Sequence, residues 1–295
     1  MVLPISGHTA LVGVLGDPVR HSLSPAMHNA ALAALELDWV YLALPTPAQE
    51  LARVVQALAA IDCRGLNVTI PHKQAVAALC QERTELAARL GAVNTLVPRG
   101  DGSWLGTNTD VEGFLAPLRQ RDPASWPNAQ AVVLGCGGSA RAVVAALVEL
   151  GVGRIKVAAR RAGALQTFHS SCASWAPQLQ PLAWDSLCSH LDQLDLLVNT
   201  TPVGMASSSD PDAARRNPLQ PEQLERLQAG TTVYDLIYTP RPTALLRAAA
   251  ERGCQTLDGL EMLVQQGAAA LRIWTGLAEV PVAAMRSAAL AALEG

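Results

Sequence analysis

One stretch, AVVLGCGGSARAVVAAL at residues 131–147, constrains the architecture more than any other. Residues 131–134 are apolar and read as a strand, and a helical pattern rich in Ala and Val runs on to Leu150. Between them lie Gly135, Gly137, Gly138 and Ala140, a G-x-G-x-x-A spacing in the strand–turn–helix setting that a dinucleotide-binding turn requires. Gly135 permits the tight reversal, Gly137 lets a pyrophosphate approach the backbone, and Ala140 lets the helix pack closely on the strand. The helix N-terminus adds N–H groups and the positive end of its dipole. A second strand follows at residues 155–159, so the unit is β-α-β and its sheet is parallel.

That second strand ends in AARRAG, where an NAD site would place an acid for the ribose 2′-hydroxyl. Arg160 and Arg161 stand there instead, with no acid beside them. Charge-assisted hydrogen bonds to a 2′-phosphate contribute roughly 1.5–3 kcal/mol each, enough to decide the cofactor as NADP(H). The competing reading is two solvated surface arginines.

The same alternation extends over most of the chain. Strand-like runs at 11–15, 39–44 and 65–70 are separated by helical patterns at 26–37 and 47–61, and a further helical region is expected over 73–90. Residues 93–97 and 104–105, joined by PRGDG, read as a hairpin, with a helix expected near 111–121. RDPASWPNA is a junction of turn formers. Beyond the glycine turn, strands are expected at 194–199 and 232–236, with a polar, flap-like loop at 206–217. Two α/β domains result, the first with a mainly parallel sheet. The helices expected at 261–275 and 282–293 have no strand between them and are expected to return to the first domain.

Composition narrows the function. Half of the 295 residues are apolar, 16% are charged, and the net charge is −3 without any basic run, which gives nucleic acid no footing. The six cysteines (63, 80, 136, 172, 188, 254) show neither CxxC nor zinc spacing and suit a reducing cytoplasm. No basic leader and no 18-residue apolar run is present, so no membrane role is expected.

In GLNVTIPHK, residues 65–73, Asn67 and Thr69 alternate with apolar neighbours, and Pro71 ends the strand just before Lys73. Strand C-termini are where open α/β sheets bind ligands. Lys73 is then either a solvated surface charge or a proton donor, and the pattern does not choose. Ser24 followed by Pro25 suits a helix start, with Ser24 as the N-cap. Ser22 and Ser24 at that helix start could also hold a carboxylate. His21 and His28 lack a third metal ligand and read as structural. Asn94 and Asp110 end apolar runs and read as turn formers or caps, Asp110 as N-cap of the next helix. The segment 199–202 (NTTP) ends a strand of the cofactor domain, Tyr238 follows another, and Gln266 suits an inward-facing amide on the helix carrying Met262.

GDPVRHSLSPAMHN, GLNVTIPHK, GAVNT, GTNTD, GCGGSAR, NTTPVGM, YDLIYTP and DGLEMLVQQGA occur in the order found in the shikimate dehydrogenases, and the chain resembles that family from end to end. The resemblance implies NADPH-dependent reduction of 3-dehydroshikimate to shikimate, a step of aromatic amino-acid biosynthesis. A quinate/shikimate dehydrogenase with relaxed substrate or NAD use is the alternative. It implies a discontinuous substrate domain, residues 1–109 and 259–295, with a Rossmann-type NADP-binding domain, residues 110–258, inserted. Ser22 and Ser24 would hold the substrate carboxylate, Thr69, Asn94, Asp110, Tyr238 and Gln266 would line the site, and Lys73 and Asp110 match the catalytic pair. Gly135, Cys136, Gly137, Gly138, Ser139, the 159–164 turn with Ala159, Arg160, Arg161 and Ala164, and Leu236 and Gly259 match cofactor positions, with Glu85 a peripheral one. The family's usual Asn-Arg-Thr at the 2′-phosphate is Ala159-Arg160-Arg161 here, one amide and one hydroxyl exchanged for a second guanidinium. The intact Ser-x-Ser favours shikimate over quinate, and the family permits a monomer or a homodimer.

Overall fold

The computed structural model describes residues 4–119, 123–206 and 210–294, which divide into two compact units, Met1–Gly113 with Leu263–Gly295, and Phe114–Met262. Asp110, expected to open the inserted domain, belongs to the first unit.

The first unit contains β1 (Ala10–Gly16), α1 (Ser24–Ala34), β2 (Trp39–Pro45), α2 (Leu51–Ala60), β3 (Gly65–Val68), β4 (Glu82–Arg83), α3 (Glu85–Leu90), β5 (Thr95–Pro98) and β6 (Trp104–Thr107). Its sheet has the order β2-β1-β3-β5-β6-β4. β1 runs parallel to β2 and β3, the hairpin β5–β6 is antiparallel to β3, and β4 is parallel to β6 at the edge. Leu51, Val55 and Leu58 share one face of α2 and pack on Leu15, Leu66, Leu96 and Trp104. The Trp104 indole, buried in that apolar cluster, donates to the Val55 carbonyl at 2.9 Å.

α4 (Asp110–Leu118) leads into the second unit, which holds β7 (Gln130–Leu134), α5 (Gly138–Glu149), β8 (Arg154–Ala159), α6 (Ala162–Cys172), β9 (Leu179–Ala183), β10 (Leu196–Asn199), α7 (Pro221–Leu224), β11 (Thr232–Asp235), α8 (Ala244–Ala250) and β12 (Gln255–Leu257). The order is β12-β11-β10-β7-β8-β9 and every pairing is parallel. Order reverses between β7 and β10, the switch point at which doubly wound sheets of the Rossmann type open a ligand crevice. α9 (Gly259–Thr275) and α10 (Val282–Glu294) bring the chain back to the first unit, where α10 packs against α1. No helix among the described residues is long and apolar enough to cross a membrane.

Two expectations need correction. Residues 73–90 are not one helix: a turn leads to a 3-10 segment at Val76–Leu79, then β4, then α3. The Gln81 N–H donates to the Trp104 carbonyl and the Thr84 N–H to the Gly106 carbonyl, so pairing along β6 displaces an alanine-rich helix. Thr84 then caps α3, accepting from Ala87 N–H. Strands β9 and β12, unexpected from pattern, extend the second sheet at its two edges. Of the loop at 206–217, residues 207–209 lie outside the described residues, and Ala213–Arg215 forms a 3-10 turn. Residues 120–122 of the junction likewise lie outside them, and Pro123–Asn128 is 3-10.

Candidate active site

Lys73 sits in the turn after β3, not on a helix. Its own carbonyl accepts from Val93 N–H at 2.8 Å, which ties the turn to the segment carrying Asn94. Asn94 is threaded between two strand ends: Val68 N–H donates to its carbonyl, and its N–H donates to the Thr107 carbonyl. Strand pairing thus brings residues far apart in sequence to one place.

There, Lys73 Nζ donates to Asp110 Oδ2 at 2.6 Å, with side-chain exposures of 14% and 6%. The pair is shielded enough for its Coulomb attraction to exceed that of a surface bridge. Asn94 Nδ2 donates to the other carboxylate oxygen at 2.8 Å and lies 3.4 Å from Gln266 Oε1. Gln266 Nε2 donates to the Leu263 carbonyl within α9, which turns its oxygen towards Asn94. Asp110 is the first residue of α4, where a carboxylate is favoured by the helix dipole, and its N–H donates to Asn108 Oδ1. The arrangement places an ammonium beside a fixed carboxylate, with an amide oxygen close by.

Ser24 is not an N-cap. α1 begins at Ser24, Leu23 occupies the cap position, and no side chain caps the helix. Ser24 N–H donates to Ser22 Oγ at 3.2 Å, so the two serines form one turn at the helix start. Thr69 follows β3, its N–H donating to the Leu15 carbonyl. His21 is exposed, and His28 is buried and stacked on Tyr41 with centroids 4.2 Å apart. Burial lowers the His28 pKa to about 3, so its ring is neutral. No group of potential metal ligands occurs among the described residues.

In the second unit, Gly135 has φ +102°, and a Cβ there would lie 2.7 Å from Thr200 Oγ1, so the position excludes other residues. Thr200 Oγ1 donates to the Leu134 carbonyl at 2.7 Å, closing β10 onto β7 at the switch point. Gly137 precedes α5 with open space where a Cβ would stand, and Cys136, Gly138 and Ser139 are half-buried around it. Ala159 ends β8. Arg160 and Arg161 are exposed, and no ion pair holds either among the described residues. Arg161 occupies the N-cap position of α6 without capping it, while Ala164 lies inside α6 and not in a turn. This donor set, an open glycine turn with two uncommitted guanidiniums at the next strand end, fits NADP(H). Leu236 and Gly259 meet: Gly259 N–H donates to the Ile237 carbonyl, and a Cβ on Gly259 would fall 2.0 Å from the Leu236 oxygen. Tyr238 is half-buried, with its phenol pushed up by burial. Glu85, in the first unit, is exposed and ion-paired with Arg89 at 2.7 Å.

Structure adds Tyr41, Thr95, Asn108 and Thr109 to the polar cluster around Asp110. Thr95, Asn108 and Thr109 were within reach of sequence reasoning, because they adjoin Asn94 and Asp110. Nothing in WVYLALP singles out Tyr41.

Comparison with known proteins follows the same lines. Residues 14–96 match the shikimate dehydrogenase substrate binding domain, and residues 259–290 match the shikimate 5'-dehydrogenase C-terminal domain. The shikimate dehydrogenase (NADP(+)) of Synechococcus sp. (strain JA-2-3B'a(2-13)) is 49% identical over 285 residues, covering 97% of this chain and 96% of its own. The crystal structure of the Thermus thermophilus shikimate 5-dehydrogenase in complex with NADP(H) and shikimate is 35% identical, with TM-score 0.83 over 96% of this chain and 100% of that one. A quinate dehydrogenase from Corynebacterium glutamicum in complex with NAD is 32% identical, with TM-score 0.85 over 96% and 99%. By identity sustained over nearly its whole length, the chain belongs to the shikimate dehydrogenase family.

Proposed function

We propose that this protein is an NADP-dependent shikimate dehydrogenase, reducing 3-dehydroshikimate reversibly to shikimate in aromatic amino-acid biosynthesis. The observation that carries the reading is the Lys73–Asp110 pair at 2.6 Å, held by Asn94, which Gln266 in turn approaches, in a chain of this family. The first unit would take the substrate and the second the cofactor. Ser22 and Ser24 would receive the carboxylate, with Thr69, Asn94, Asp110, Tyr238 and Gln266 holding the hydroxyls. Gly135 to Ser139 would cradle the pyrophosphate. Arg160 and Arg161 would take the 2′-phosphate, with Ala159, Ala164, Leu236, Gly259 and, at the periphery, Glu85 completing the cofactor contacts.

Bound NADPH supplies the hydride for the C3 carbonyl. The Lys73 ammonium stabilises the oxyanion that develops there and gives it a proton, leaving the lysine neutral and the product an alcohol. In the oxidative direction the neutral amine takes that proton back. Asp110, acceptor-only when ionised, orients Nζ and can accept from a substrate hydroxyl. The enzyme is read as cytoplasmic, acting on small molecules as a monomer or homodimer.

A second reading, a quinate/shikimate dehydrogenase using NAD, is favoured by the likeness to the quinate dehydrogenase that binds NAD. Initial rates of oxidation separate the two: shikimate with NADP⁺ should give the highest kcat/KM. Quinate with NAD⁺ exceeding it would overturn the assignment.

A further inference from the structure

A row of buried side chains runs into the Lys73–Asp110 pair, and two backbone groups settle its direction. Thr109 N–H donates to Asn94 Oδ1 at 2.8 Å, so Asn94 Nδ2 is the atom that faces Asp110. The Asn94 carbonyl, which can only accept, lies 3.4 Å from the Asn67 amide, so Asn67 Nδ2 faces this way. The Thr95 hydroxyl stands between the two amides, 3.2 Å from Asn67 Nδ2 and 3.0 Å from Asn94 Oδ1. It accepts from the first and passes its own proton towards the second, directly or through the Thr109 hydroxyl, which lies 3.2 Å from it and 3.3 Å from the same Asn94 Oδ1. Asn67 Oδ1 is left for the Tyr41 phenol, which donates to it at 2.8 Å. Tyr41 is itself held by its stack on His28 and lies beside the Ser24 hydroxyl. Every donor from Tyr41 through Asn67, Thr95 and Asn94 therefore points towards the Asp110 carboxylate, on whose far oxygen Lys73 converges. Aligned hydrogen bonds polarise one another in the same sense, and turning the Asn94 amide over would orphan the Thr109 N–H.

We propose that Tyr41, Asn67 and Thr95 are positioning residues, a one-way hydrogen-bond relay that holds Asn94 and the Asp110 carboxylate in the orientation that aims Lys73. This rests on the reading of Lys73 and Asp110 as the catalytic pair. Tyr41 and Thr95 have no exposed surface, so they act through Asn94 and Asp110 and not on substrate.

The test compares Thr95→Val, which keeps shape and loses the hydroxyl, with Thr95→Ser, which keeps the hydroxyl, alongside Tyr41→Phe and the Tyr41→Phe/Thr95→Val double variant. Thr95→Val and Tyr41→Phe should each lower kcat roughly 10–100-fold with KM for NADPH unmoved. Thr95→Ser should stay near wild type, and the double variant should be no worse than the poorer single one. The nitrogen NMR resonance of Lys73 Nζ in the ligand-free protein, assigned by its loss in Lys73→Ala, should shift in Thr95→Val and not in Thr95→Ser. A Thr95→Val protein with wild-type kcat and an unmoved resonance would overturn the relay, as would effects that multiply in the double variant. Should Tyr41→Phe not fold, the Val and Ser pair at 95 decides. Should the wild type fail to turn over 3-dehydroshikimate, the functional reading falls, and the resonance still judges the relay.

Discussion

Lys73 and Asp110 are 37 positions apart and meet because Val93 N–H holds the Lys73 turn against the strand ends that carry Asn94. An ammonium so placed can stabilise a developing alkoxide by its charge and give it a proton. Lys73→Ala should lower kcat roughly 10²–10⁴-fold with a modest change in KM for 3-dehydroshikimate, measured at saturating NADPH. Near-full kcat would remove Lys73 from the chemistry. Arg160 and Arg161 present a separate residue-scale question. Both are exposed and uncommitted, so each can contribute to a 2′-phosphate. Arg160→Ala and Arg161→Ala should each reduce the NADPH-over-NADH preference in kcat/KM roughly 10–100-fold, by loss of charge-assisted bonds. A preference unchanged in Arg161→Ala would show that one guanidinium suffices. At this scale pattern could mark Lys73 and Asp110 only as a charge and a cap. Their pairing depends on strand register, which no local spacing encodes, and it took the family's motifs to couple them before the structure did.

Elements carry two further predictions. Asp235 ends β11 fully buried, accepting from Asn199 Nδ2 at 2.9 Å, Thr243 Oγ1 at 2.7 Å and Ile237 N–H at 3.2 Å. Burial outweighs these bonds and pushes its pKa from 3.8 up to about 6. Between those two values the unfolded chain is ionised while the folded one keeps its proton, so this group's stabilising contribution falls as pH rises and is lost above about 6. Asp235→Asn keeps the hydrogen-bond shape without titrating. Its stability relative to wild type, from urea unfolding, should rise by about 3 kcal/mol across that window and then level off. A pH-independent difference would contradict the assignment. At the start of α9, Gly259→Ala would drive a Cβ into the Leu236 carbonyl and should cost about 1–3 kcal/mol by the same measurement. An unchanged midpoint would mean the backbone yields there freely. Of the strands that pattern revealed, β1, β3, β7, β8, β10 and β11 are mostly buried, and β2, a sheet edge, shows in sequence because it is apolar throughout. β9 and β12 are sheet edges that lack such an apolar run. Pro181 interrupts β9, and three mostly polar residues make up β12, which an edge tolerates and an interior strand does not. The alanine-rich segment after Lys73 reads as helix by propensity, and backbone pairing to β6 overrides it.

On the scale of the whole chain, the first unit is assembled from two segments separated by residues 114–262, and the second sheet is one uninterrupted parallel set. Return of the C-terminal helices to the first unit has a local rationale. The Trp274 indole donates to the Leu96 carbonyl, Arg272 pairs with Glu112, and Gln266 reaches Asn94. α9 thus supplies the first unit both with packing and with one member of its polar cluster. The absence of a strand between the last two helices made that return legible, whereas the exact crossing points, near 113 and 263, fall inside α4 and α9 where no change of pattern marks them. The most direct test follows NADPH absorbance after 3-dehydroshikimate is added to the purified protein, with NADH in a parallel run and shikimate quantified at the end. NADPH loss matched mole for mole by shikimate, with far slower loss of NADH, is the predicted result. NADPH left unconsumed, or NADH consumed faster, would contradict it.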